Sequence, residues 1–244
     1  MKVALAAVGF ITNDTEYNKN KMIEVLKKYS EEADLVLFGE SYLQGFECLD
    51  WNYQKDNKVA LTQDSDLIRQ IGFIAKEYQT AVSFGYIEKD GDKIYSSQLT
   101  LDKNGNALNN FRRVSTGWKE KIADCHYVEG KGFSQFDYLG KTFSVGLCGD
   151  LWEEQNCLAL KNLNTDIILW PVYTDFNFRE WNTKIKQEYS EQSFKCGDKV
   201  LYVNSYCLDG EGYEIARGGA VFFEKGKIVS EVPAGKESVL IVNV

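Results

Sequence analysis

The chain has 244 residues, of which 44% are apolar and 26% charged, a composition that builds one ordinary globular core. Its 36 acidic against 28 basic side chains give a net charge of −8, and no basic run interleaved with aromatics occurs. That balance argues against a nucleic-acid partner, because affinity for a phosphate backbone comes from clustered Lys and Arg.

In chain order, VALAAVGF (3–10) reads as an apolar strand. It is too short to span a membrane and lacks a cleavage site, so no signal peptide, no membrane partner and a cytoplasmic location are expected. Residues 13–29 carry Met22, Val25, Leu26 and Tyr29 at helical spacing. DLVLFGE (34–40) is a buried strand that ends at an acid, Glu40. A helix over 65–78 presents Leu67, Ile71, Ile74 and Tyr78 on one face. Residues 81–114 read as three strands joined by Asp-Gly and Asn-Gly turns. TFSVGLC (142–148) is a strand that ends at Cys148, followed by a helix over 153–163. A strand over 166–172, a helix from Phe178 to near Gly197, and strands within 199–207, 218–232 and 238–244 complete the chain. With no linker, repeat or low-complexity segment, 1–244 is expected to be a single domain. Strand–helix units mixed with hairpins point to a layered α/β fold with mixed sheets.

Of six cysteines, none forms a CxxC pair, which argues against structural zinc, and the single histidine, His126, rules out a multi-histidine metal centre. No metal and no cofactor are expected. The reactive groups gather instead at strand ends: Glu40, the Lys119–Glu120–Lys121 segment, and Cys148. In α/β proteins that rim hosts the ligand site. A thiol, a carboxylate that takes and returns its proton, and a cation that holds an oxyanion can carry out acyl transfer without histidine or metal. The amide of Gly149 just after the nucleophile would add an oxyanion donor, and the helix that follows would favour the thiolate. Taken alone, Cys148 is more often a packed thiol, Glu40 a solvated strand end, and Lys119 with Glu120 a surface pair.

Five segments in order resemble the nitrilase superfamily of carbon–nitrogen hydrolases: FGES (38–41), YSSQLTLDKNGNALNNFRR (95–113), EG (129–130), CGDLW (148–152) and RGGAVFFEKGKIVSE (217–231). The resemblance implies a four-layer α-β-β-α sandwich with two mixed β-sheets. It also implies a homodimer or higher homo-oligomer, and hydrolysis of a small amide (an ω-amide or a carbamoyl compound) through a thioester at Cys148. Glu40 and a lysine would complete the triad. The sequence departs from the family at the lysine: FRR puts Arg113 in that slot. Arg113 could itself hold an oxyanion, but its fork geometry and length differ from those of lysine, so Lys119 is preferred as the catalytic lysine, with Glu120 near the family's second glutamate. Arg113, Gly149, Trp152 and Tyr173 are expected to contact substrate. Two rivals stay open: a non-enzymatic binding or assembly relative, motivated by Arg113, and a glutaminase subunit that passes ammonia to a synthetase, which CGDLW permits.

Overall fold

The computed structural model describes residues 1–212 and 215–244. Its strands are β1 (Lys2–Ala7), β2 (Gly9–Phe10), β3 (Leu35–Phe38), β4 (Ala81–Asp90), β5 (Lys93–Leu101), β6 (Ala107–Arg112), β7 (Gln135–Tyr138), β8 (Lys141–Val145), β9 (Ile167–Val172), β10 (Lys199–Asn204), β11 (Tyr206–Cys207), β12 (Ala220–Glu224), β13 (Lys227–Val232) and β14 (Ser238–Asn243). Its helices are α1 (Thr15–Tyr29), α2 (Tyr53–Val59), α3 (Asp66–Glu77), α4 (Glu154–Leu163), α5 (Phe178–Glu180) and α6 (Lys186–Cys196), with a π-helical turn, Trp181–Ile185, between the last two.

Side-chain alternation in β1 sets the layers. Val3, Leu5 and Ala7 face one core and Ala4 and Ala6 another. A strand apolar on both faces must be covered on both. On one side α1 (Met22, Val25, Leu26) and α3 (Ile68, Ile71, Ala75) cover Val36, Phe38, Val82 and Phe84. On the other, Val3, Leu5, Leu35 and Leu37 meet Val145, Leu169, Leu201 and Phe222 of a second sheet. The outer face of that second sheet is closed by Cys157 and Leu160 of α4 and by Tyr189 and Cys196 of α6. The result is helix, sheet, sheet, helix, as the resemblance implied.

The two sheets have the same internal logic. The first runs β14-β1-β3-β4-β5-β6 and the second β13-β12-β10-β9-β8-β7. In each, three parallel strands (β1, β3, β4 and β8, β9, β10) are flanked by antiparallel ones. Parallel strands are joined by crossover helices on the outer faces, so their C-terminal ends lie along one rim of each sheet.

Several elements differ from the sequence expectation, among them the strand expected over 142–148, which ends at Val145. The first strand breaks at Val8, and β2 leaves to pair with β11 in a separate ribbon. The strand expected over 34–40 stops at Phe38, because the Glu40 amide donates to Val172 O at the end of β9 (3.3 Å) and carries the chain across to the second sheet. The sequence reading left α2 and β7 unassigned; both are short, and β7 is only the four residues QFDY. No helix among the described residues is long and apolar enough to cross a membrane.

Candidate active site

Four strand ends converge. Glu40 follows β3 through Gly39, Arg113 follows β6, Cys148 follows β8 through Gly146 and Leu147, and Tyr173 follows β9. Glu40 is fully buried. Its Oε1 accepts from Arg113 Nη1 (2.8 Å) and Ser96 Oγ (3.2 Å), and its Oε2 accepts from the Tyr173 backbone amide (3.3 Å). The turn that carries it needs a glycine opposite: a Cβ on Gly85 of β4 would fall 2.2 Å from the Ser41 amide nitrogen.

Cys148 begins a short 3-10 turn, Cys148–Trp152, with φ +42, a left-handed conformation rare outside glycine and costly to hold. Four hydrogen bonds hold it. Trp170 Nε1 donates to Cys148 O (2.9 Å). The Asp150 carboxylate accepts from the Leu147 amide (2.9 Å) on one oxygen. Its other oxygen accepts from the amides of Val114 (3.0 Å) and Ser115 (2.6 Å). Asp150 therefore ties the Cys148 turn to the segment just after Arg113. Burial pushes its carboxyl up to about 6, while its hydrogen bonds from Ser115 and the Arg113 charge pull it down. The Cys148 thiol donates towards Tyr173 O (3.6 Å). One peptide segment at Tyr173 thus holds the carboxylate with its N–H and the thiol with its C=O.

Electrostatics at the sulfur run against the sequence expectation. Burial pushes the Cys148 thiol up to about 12, and Glu40 pushes the same way through its charge and its hydrogen bond with the thiol. Arg113 opposes them and does not win. The expected helix dipole is remote, since α4 starts only at Glu154, beyond the 3-10 turn. The resting thiol therefore keeps its proton, beside a carboxylate able to take it. Arg113 itself is buried, which would lower its affinity for its proton, but Glu40, Cys148 and Asp150 together raise it above the ordinary arginine value, so the guanidinium stays charged. Its Nε donates to Ser115 Oγ (2.9 Å).

The cation beside Glu40 is thus Arg113, and Lys119 goes elsewhere, contrary to expectation. Lys119 Nζ donates to Tyr127 O (3.1 Å) and pairs with Glu129 (2.5 Å), inside the loop that follows β6. The reason is chain course: Lys119 comes just after a 3-10 turn, Thr116–Trp118, whose Trp118 is buried among Cys48, Ile94 and Tyr127. Glu120 is exposed on the same loop, and its charge helps raise the Glu47 carboxyl, which burial and Asp175 also raise. Gly149 lies under the guanidinium; a Cβ there would come within 2.7 Å of Arg113 Nη2 and 3.2 Å of Ser115 Oγ. Trp152 is 45% exposed and sits edge-on to Tyr189 (ring centroids 4.9 Å apart). Tyr173 stacks on Phe46 (4.7 Å). It is the backbone of Tyr173, rather than its ring, that contacts Glu40 and Cys148. His126 stacks on Tyr53 and bonds Asp124 through Nδ1 (2.8 Å).

Sequence reasoning missed Ser96 and Ser115. Ser96 lies in the YSSQ segment, where inward alternation along β5 was the available signal. Ser115 carried none, because its partners come from Arg113 and from Asp150, which folds in from another strand end.

A model of the family described as carbon-nitrogen hydrolase matches residues 2–244. The chain belongs to that family. It is 24% identical over 255 residues to an aliphatic nitrilase of Rhodococcus rhodochrous, covering 97% of this chain and 61% of the nitrilase. It therefore spans about three fifths of that relative's length. Among solved structures, a double mutant of the amidase from Nesterenkonia sp. AN1 in complex with acrylamide superposes with a TM-score of 0.80 at 16% identity, over 100% of this chain and 90% of the amidase. A glutamine-dependent NAD+ synthetase from Acinetobacter baumannii superposes with a TM-score of 0.80 at 23% identity, over 98% of this chain but 44% of the synthetase. At these identities the structural likenesses establish the fold, two mixed sheets between helical layers.

Proposed function

We propose that this carbon–nitrogen hydrolase family member hydrolyses the C–N bond of a small amide through a thioester on Cys148. Glu40 is the proton carrier, and Arg113 does the work of the family's lysine. The observation that carries this is the convergence of a buried carboxylate, a buried guanidinium and a strained cysteine at adjacent strand ends. With the thiol pushed up to about 12, ionising it before attack would cost roughly 7 kcal/mol at neutral pH. Proton transfer to Glu40 is therefore coupled to attack of Sγ on the amide carbon. The developing oxyanion is met by the guanidinium and by backbone amides at the Gly149 turn. Glu40 then gives its proton to the leaving nitrogen, and ammonia or an amine departs. The carboxylate next deprotonates a water that attacks the thioester, which releases the acid and restores the thiol.

Acrylamide, the ligand of the Nesterenkonia amidase variant, sets the size class of substrates to try first. Tyr173, whose backbone contacts Glu40 and Cys148 and whose ring stacks on Phe46, would suit a substrate with a short apolar body. A cytoplasmic homodimer belongs to the same proposal; light scattering of the purified protein would test its oligomeric state. Ammonia release from short aliphatic amides is the direct test, with Cys148→Ala and Glu40→Gln as controls. Both variants should lose at least about a thousandfold in kcat/KM while keeping the wild-type circular dichroism. Turnover retained in Cys148→Ala would overturn the assignment. The likeness to one part of a glutamine-dependent synthetase supports a second reading, a glutaminase that supplies ammonia to a partner. Turnover of glutamine in clear preference to short aliphatic amides would favour it.

A further inference from the structure

Outside the site, one pair of nucleophilic side chains is buried and takes no part in the chemistry above. Cys157 lies on α4 and Cys196 is the last residue of α6. They stand 39 residues apart in sequence, and their Sγ atoms are 2.6 Å apart. Thiols placed only to fill space have no reason to approach so closely, and a bonded pair of sulfurs sits at about 2.05 Å. Both sulfurs lie against one carbonyl. Gln192 Nε2 donates to Leu151 O (2.6 Å), in the turn that begins with Cys148, and Cys157 Sγ (3.1 Å) and Cys196 Sγ (3.7 Å) lie against the same oxygen.

The surroundings distinguish the two sulfurs. Cys157 lines a cavity of about 510 Å³ with Trp152, Lys161, Gln192 and Lys195, whereas Cys196 has no exposed surface and borders a smaller one of about 170 Å³ with Leu160, Ile168 and Gly197. Gln192 Nε2 also reaches Cys157 Sγ (3.4 Å), and Lys195 Nζ donates to Gln192 Oε1 (3.0 Å). Cys157 thus has a route to a small solute and donors that favour its thiolate, with Cys196 beside it as a second sulfur. The acidity follows the same asymmetry: the hydrogen bond from the Cys196 thiol, with Gln192 and Lys195, draws Cys157 down, and Cys196 is raised in turn.

We propose that Cys157 and Cys196 form a dithiol site that a small hydroperoxide oxidises to a disulfide, joining α4 to α6 behind the nucleophile turn. The Cys157 thiolate attacks one peroxide oxygen, the O–O bond breaks, and the departing oxygen takes up a proton and leaves as water. Cys157 is then a sulfenic acid. Cys196 gives up its proton and attacks that sulfur; hydroxide leaves and is protonated to a second water. In sum, two thiols and one hydrogen peroxide give one disulfide and two waters. The sulfurs lose two electrons and the peroxide gains them. A dithiol reductant reverses the bond. The site does not depend on the hydrolase assignment, since neither sulfur touches Glu40, Arg113 or Cys148 in that scheme.

The test is a thiol map of the wild-type protein. It is exposed to hydrogen peroxide, quenched with catalase, denatured, alkylated with iodoacetamide and digested, with and without dithiothreitol before alkylation. The expected result is a cross-linked peptide pair containing Cys157 and Cys196. Both thiols should be protected from alkylation, and dithiothreitol should restore them. In Cys196→Ala, dimedone should trap a sulfenic acid at Cys157. The wild-type map decides the matter whether or not that variant folds. Full alkylation of Cys157 and Cys196 after peroxide has been consumed at Cys125 or Cys148 would overturn the proposal, as would a disulfide from either one to a different cysteine.

Discussion

Arg113 puts a planar fork where the family pattern has an ammonium, and the fork is used. One arm binds Glu40, Nε binds Ser115 Oγ, and the second terminal nitrogen lies over Gly149. Arg113→Ala should lower kcat/KM on short amides by about a hundred- to a thousandfold, the usual cost of losing an oxyanion donor. Lys119→Ala should leave it within a few-fold, because Lys119 is occupied by Tyr127 and Glu129. Steady-state ammonia assays on the two variants separate the roles; the reverse pattern would restore Lys119 to the triad. A second expectation concerns the sulfur. With its thiol pushed up to about 12, Cys148 should be alkylated by iodoacetamide at a rate that keeps rising through pH 9 without a plateau. The sign for Glu40→Gln follows from charge: removing a carboxylate that raises the thiol lowers it, with Arg113 left unopposed. That variant should label faster than wild type at pH 8 while losing turnover. Slower labelling would mean that Glu40 activates the ground-state thiol rather than taking its proton during attack.

Asp150 is where residue chemistry becomes a property of elements. It accepts three backbone amides from the ends of two strands, β6 and β8, and so fixes the distance between the guanidinium and the thiol. Asp150→Asn keeps the size but turns a donor towards an amide that needs an acceptor. The expected cost is about 1–3 kcal/mol of stability, read by urea denaturation. Reduced kcat is also expected, beyond what the fraction unfolded accounts for. An Asn variant as stable and active as wild type would reduce Asp150 to a spacer. Gly149→Ala acts across the same junction. Its Cβ would enter the guanidinium, and the expected effect is loss of turnover with a folded protein.

For the whole molecule, the layer between the sheets decides cooperativity. Val3, Leu5, Leu35 and Leu37 of one sheet share a core with Val145, Leu169, Leu201 and Phe222 of the other. Neither sheet keeps a covered inner face without its partner. Leu201→Ala, fully buried in that layer, should cost about 2–5 kcal/mol. Far-UV circular dichroism, which sees both halves, and fluorescence, which includes the buried Trp170 and Trp181 of the second, should give one coincident urea transition. Separate midpoints would mean that the sheets fold as independent units.

The order of strands and helices, the acid at the end of β3 and the cysteine after β8 were legible in the sequence, because periodicity and local turn chemistry lie within a few residues of each other. The resemblance to the family's motif marked Arg113 as a departure. What it could not settle was which cation reaches Glu40. Lys119 stands six residues beyond Arg113, and the course of those residues depends on Tyr127, Glu129 and the burial of Trp118, partners that only the folded loop brings together. The backbone of Tyr173, the hydroxyls of Ser96 and Ser115 and the three-amide grip of Asp150 were hidden for the same reason, since each contact joins separate strand ends. The sign of the shift at Cys148 was decided there too. Sequence supplies the thiol and the nearby helix, but burial and the position of Glu40 set the charge at the sulfur, and both are products of two sheets closing on each other.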